Sequence, residues 1–180
     1  MGVSDTGRFA VVTNIRDADG PDLAKTSRGA LVAGWLSGGN IPEDVADFNP
    51  FSLIVSDNQS AQFISNRPGQ TRNALAAGIH GLSNAIPNEL WPRKDRVVAK
   101  LANWLAGPVE QPEILLDMLG DDEVRDSDSY PVFIRSPVYG TRCSTVVAVD
   151  QAGQGRIIER RFSADGISTG ETTLRFAWPH

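Results

Sequence analysis

The chain has 180 residues, 41% of them hydrophobic and 22% charged, with a formal net charge of −5. That length suffices for one domain, residues 1–180, with a buried core, and the composition is that of a folded globular chain. The acidic balance, with no basic stripe, excludes nucleic acid and anionic membranes as partners, and no apolar stretch nears the ~20 residues of a membrane span.

In chain order, "MGVSDT" fits a myristoylation pattern, but a strand follows almost at once, so "SDTG" reads as a turn feeding "RFAVVTN", Arg8 to Asn14. Ser27 is placed to cap a helix on which Leu31, Val32, Trp35 and Leu36 share a face, and "SGGN" ends it. "FSLIVSD" and "AQFISN" around the polar "DNQS" read as a hairpin, and a further strand is expected through "AGIHGLSN". Pro92 suits the first turn of a helix whose apolar face is Val97, Val98, Leu101, Trp104 and Leu105, closed by Gly107 and Pro108. A second helix is expected around "PEILLDML", then a solvated acidic loop, "GDDEVRDSDSY". From Val132 the chain turns strand-like: "RCSTVVAVD", "GRIIERRF" and "ETTLRFAW" alternate with the turns "QAGQG" and "SADGIS". Strands, helices and strands again give an α+β protein with mostly antiparallel sheets.

The chemistry-bearing residues are few. A single cysteine, Cys143, cannot form an intrachain disulfide, which points to a reducing compartment, the cytoplasm. With only His80 and His180 beside it, no metal site is expected. No cofactor is expected either, since no phosphate-cradling glycine motif and no axial-ligand signature for haem is present. "HGLSNA" approximates a serine-hydrolase elbow at Ser83, yet Pro87 and "PNEL" stand where a helix should follow, and the one histidine downstream is terminal. His80, between glycines, reads as a hydrogen-bonded structural residue in a strand. Cys143 reads as a small hydrophobe on a packed strand.

The blocks "GVSDTGRFAVVTNIRD", "TSRGALV", "FSLIVSD", "SNRPG", "GIHGLSNAIPNELWPR" and "YGTRCSTVVAVD" resemble, in order and spacing and over nearly the whole chain, the NRDE protein family, also called the transport and Golgi organisation family. Members of that family begin with a cysteine after the initiator methionine and carry an early Asn-Arg-Asp-Glu motif. Neither is found here, so the resemblance implies that the N-terminal segment of a complete member is missing. The family is in turn similar to the N-terminal-nucleophile amide hydrolases, which implies a two-sheet sandwich flanked by helices, incomplete at its N-terminus.

By that resemblance Asn14 and Asn84 are candidate oxyanion or ligand-binding donors and Arg142 a charge-balancing partner, with no catalytic residue assigned. Amides fixed at strand ends stabilise a developing oxyanion and an arginine neutralises it, although strand-end asparagines also close turns. The nucleophile of such enzymes carries a free α-amine as its own base, which the internal Cys143 cannot supply. The resemblance therefore implies a ligand-binding or trafficking module for haem, a lipid or an acyl compound, without autonomous catalysis. The alternative is a hydrolase of C–N amide bonds, completed by the missing segment. A sheet edge left bare along "RFAVVTN" is a further expectation, and with it self-association.

Overall fold

The computed structural model describes residues 1–17, 20–87, 91–108, 111–124 and 131–179. The chain divides into two compact units, Met1–Trp91 and Pro92–His180, each with its own antiparallel sheet, and the class is α+β.

The first unit carries β1 (Gly2–Val3), β2 (Phe9–Asn14), α1 (Gly29–Leu36), β3 (Phe51–Ser56), β4 (Ala61–Ser65) and β5 (Thr71–Ala74), with the strands in sequence order across the sheet. The "SDTG" turn forms as expected: the Ser4 N–H donates to the Arg8 carbonyl at 2.8 Å, and the Arg8 N–H donates to the Ser4 hydroxyl at 3.1 Å. Gly7 sits there at φ +86°, with the Asn58 side chain filling the space a Cβ would need. The turn folds the first residues back so that β1 pairs with Phe9 and Ala10. The edge expected to be bare is therefore covered at its start, while β3 pairs all six residues on the other side.

Alternation places Ala10, Val12, Leu53, Val55 and Ile64 on one face, in cross-strand register, and α1 packs there through Leu31 and Trp35. The helix begins later than Ser27 suggests. Arg28 occupies the capping position without a side-chain cap, and the Ser27 hydroxyl accepts the Gly29 N–H at 3.3 Å. "SGGN" ends it, with Gly38 at φ +92°. Arg8 then closes the C-terminus, donating to the Trp35 and Gly39 carbonyls at 2.8 Å each, its guanidinium 4.4 Å from the Trp35 ring centroid.

The hairpin at "DNQS" forms with the expected strands, held by N–H groups of Gln59 and Ser60 donating to the Asp57 carboxylate at 2.9 and 2.8 Å. After β4 the outcome differs. The fifth strand is "TRNA", paired with β4 from Gln62↔Ala74 to Ser65↔Thr71, and "AGIHGLSN" is not a strand. Glycines at 78 and 81 give that stretch no side chains with which to hold a pleated face.

The second unit carries α2 (Pro92–Ala106), then a single 3-10 turn (Pro112–Ile114) running into the short α3 (Leu115–Met118), and β6 (Cys143–Val149), β7 (Gln154–Phe162) and β8 (Ser168–Ala177) as a meander. The helix from Pro92 and the three late strands agree with the sequence reading. The helix around "PEILLDML" is shorter and partly 3-10, with Pro112 in its first turn as at the start of α2. Of the acidic loop, residues 125–130 lie outside the described residues. Leu116, Val146 and Ile158 form the core, and Arg156–Glu113 (2.9 Å) and Arg160–Asp117 (2.8 Å) tie β7 to the helical segment above it.

Asp121 anchors α2. Its carboxylate accepts from Lys100 and from the Glu123 N–H and lies 3.9 Å from Arg96. The Lys100 hydrogen bond, more than any other contact, holds the Asp121 carboxyl below its ordinary pKa. A depressed folded-state value gives stability that is complete above the unfolded value of ~3.9 and fades as pH falls through the folded one. Asp121→Asn is expected to cost about 2 kcal/mol at pH 7. In urea titrations the gap from wild type should close toward pH 2, and a gap unchanged by pH would show that charge at Asp121 is irrelevant.

Candidate functional site

β2 runs out at Asn14, which is exposed, and the next residues are pinned on two sides. The Ile15 N–H donates to the Pro50 carbonyl at 3.0 Å, holding the chain against the start of β3. The Arg16 N–H donates to the Asn84 carbonyl at 3.1 Å, and the Thr13 hydroxyl donates to the Ser83 carbonyl at 2.9 Å. These two bonds lash the "LSNA" segment to the strand end, with Ala85 buried beneath it. Two of the three expected site residues, Asn14 and Asn84, thus reach the same end of the first sheet.

A concavity of about 330 Å³ opens at this end, lined by Asn14, Arg16, Asp17, Arg28, Asn49 and Pro50 among others. Asn49 braces one wall by bonding twice to Asp22: its Oδ1 accepts the Asp22 N–H at 2.9 Å, and its Nδ2 donates to the Asp22 carbonyl at 2.8 Å. Arg28 is half-buried and anchors itself by one N–H on the Pro50 carbonyl at 2.9 Å, leaving the rest of a planar donor fork at the cavity wall. Among the described residues Asp17 is the one carboxylate in the lining, and it is paired with Arg67 at 3.5 Å. Among the described residues the lining thus holds two arginines and two asparagines beside one carboxylate, in a chain that is acidic as a whole. Such a set suits a single anionic head group.

Asn84 comes to this end by its backbone and is not among the lining residues. Arg142 belongs to the second unit, exposed, directly before β6, and its carbonyl accepts the Phe162 N–H at 2.9 Å to complete the β6–β7 ladder. Arg16, Arg28 and Asn49 were not singled out by the sequence reading. A signal existed in the arginines of "NIRD" and "TSRG", which flank turns and so read as solvating charge.

Cys143 corrects its expectation. It is exposed, since as the first residue of β6 it precedes the packed part of the strand rather than joining it. His80 is exposed in an irregular segment, and its Nε2 lies 2.8 Å from the Ala76 carbonyl oxygen, a local hydrogen bond rather than a place in a sheet. Ser83 accepts the Ala85 N–H at 3.3 Å and opens no helix, so the elbow reading stays rejected. His180, and residues 88–90 of "PNEL", lie outside the described residues. Among the described residues no three metal-ligating side chains gather, and no helix is long and apolar enough to cross a membrane.

The family model for Transport and Golgi organisation 2 matches residues 1–164. The chain is 28% identical over 210 residues to the Transport and Golgi organization protein 2 homolog of Bos taurus, covering 96% of this chain and 75% of that protein. It is 26% identical over 207 residues to the Homo sapiens homolog, with the same coverage.

Proposed function

Since the chain belongs to the Transport and Golgi organisation 2 family, we propose that it is a ligand-binding module of that family, taking a small carboxylate-bearing compound, an acyl chain or a haem propionate, at the end of β2. The observation that carries this reading is the meeting of Arg16, Arg28 and Asn14 around one concavity in which the one carboxylate among the described residues, Asp17, is paired with Arg67. Arg28 supplies the charge-assisted bonds, and Asn14, at the strand end, donates from a fixed backbone position. No nucleophile or base is needed for this role. At about 330 Å³ the space takes a head group and a short chain, at the small end of ligand sites.

The test uses octanoate and its methyl ester as probes, followed by amide chemical shifts, with haem titrated separately by absorbance. Octanoate is expected to move the amides of residues 14–17 and 28, and the ester to leave them unchanged. Arg28→Ala is expected to weaken octanoate by about tenfold or more, with Arg28→Lys recovering part of the loss. Equal binding of acid and ester, or shifts confined to other residues, would overturn the reading.

A further inference from the structure

The second sheet ends on β8, ten residues long, whose outer side pairs with no described strand. A row of backbone N–H and C=O groups of that length is a template for another strand, and neither proline nor lysine interrupts it. Its one irregularity, a register shift opposite Arg161 and Phe162, is confined to its beginning. Residues 171 to 175 are all exposed.

The charges along this edge are unevenly matched. Cross-strand register sets Glu171 beside Arg160, Thr173 beside Ile158 and Arg175 beside Arg156, all on one face. Glu171 receives the Arg160 Nε–H at 3.1 Å on one carboxylate oxygen. Arg175 instead stands next to a like charge, since Arg156 is itself directed to Glu113 and Gln111. Among the described residues Arg175 has no acidic partner. Like charges directly opposite on a sheet are unfavourable, so this position calls for a carboxylate from outside the sheet.

We infer that a second copy of the chain supplies it, by pairing β8 with β8 in antiparallel fashion about a two-fold axis at Thr173. An axis normal to the sheet joins only residues of the same face. Centred on Thr173, it sets Glu171 opposite Arg175 of the other copy, and does so twice. Centring on Thr172 pairs Glu171 with Thr173, and centring on Leu174 pairs Arg175 with Thr173, so neither neighbouring register joins the two charges. The same Thr173 register places Gly170 opposite Phe176, whose ring already lies over Gly155 within its own sheet. Glycine opposite an aromatic leaves room for the ring on both sides.

Sedimentation velocity on the full chain tests this. Wild type is expected to show a concentration-dependent dimer, and E171R and R175E each to raise its dissociation constant on the order of tenfold, as two attractive pairs become repulsive. An equimolar mixture of E171R and R175E restores a glutamate opposite an arginine at both positions and is expected to dimerise again, as is the chain carrying both exchanges. Because Glu171 also holds Arg160, circular-dichroism melts are run alongside, and the mixture and double exchange separate a lost fold from a lost interface. A wild type that stays monomeric, single variants that dimerise like wild type, or failure of both the mixture and the double exchange to recover overturns the proposal.

Discussion

Asn66→Ala is expected to destabilise the first unit by about 3 kcal/mol, although the side chain is small and touches no ligand. Asn66 is 9% exposed and serves three backbone groups at once. Its Oδ1 accepts the Phe51 N–H at 3.0 Å, and its Nδ2 donates to the carbonyls of Phe48 at 3.0 Å and Val45 at 3.3 Å. Alanine leaves these groups buried without that partner, beside Phe48 and Phe51, whose rings meet edge to face at 6.1 Å. Asn66→Asp should be worse still, since it keeps the acceptor but sets a negative charge against two carbonyl oxygens. Urea denaturation followed by far-ultraviolet circular dichroism reads both effects. An alanine variant within about 0.5 kcal/mol of wild type would mean water replaces the amide without loss.

Ile158→Ala is expected to cost about 3–4 kcal/mol in the second unit. Ile158 is fully buried at the centre of the middle strand, and its companions are Leu116 from the short helix and Val146 from β6. So small a cluster has few side chains to shift into the space left behind. Ile158→Val, which removes one methylene, should cost about 1 kcal/mol. Hydrogen exchange at β6 and β7 amides measures the change locally, and equal protection in the alanine variant would show that the helical segment collapses onto the sheet.

Where local chemistry decided structure, the sequence was legible. Pro92 and Gly107 bracket α2, "DNQS" carries the Asp57-centred turn, and β6 to β8 alternate between recognisable turns. The misses share a cause. Neither "GV" at the start nor "TRNA" at β5 has a strand-like pattern, and each becomes a strand only because a neighbour presents a free edge in register. "AGIHGLSN", conversely, is apolar enough to suggest a strand, yet its backbone is used to hold the end of β2. The candidate site was half visible. Asn14 and Asn84 share one end of the first sheet, but the arginines at 16 and 28 meet Asn14 only through the path of the loop between β2 and α1, which no spacing encodes.

The two sheets also differ in how far apart their paired strands lie along the chain. In the second, β6 meets β7 across residues 150–153 and β7 meets β8 across residues 163–167. In the first, β2 finds β3 only after residues 15–50 have been looped out, with α1 inside that excursion. Closing the longer loop carries roughly 2 kcal/mol more entropic cost than closing the shorter ones. The meander at the end of the chain therefore nucleates on local encounters, whereas the sheet that bears the Asn14 cavity waits on a long-range search. During refolding, the cavity formed by Asn14, Arg28 and Asn49 is expected to be among the last features to acquire its shape, because its walls come from both ends of that loop.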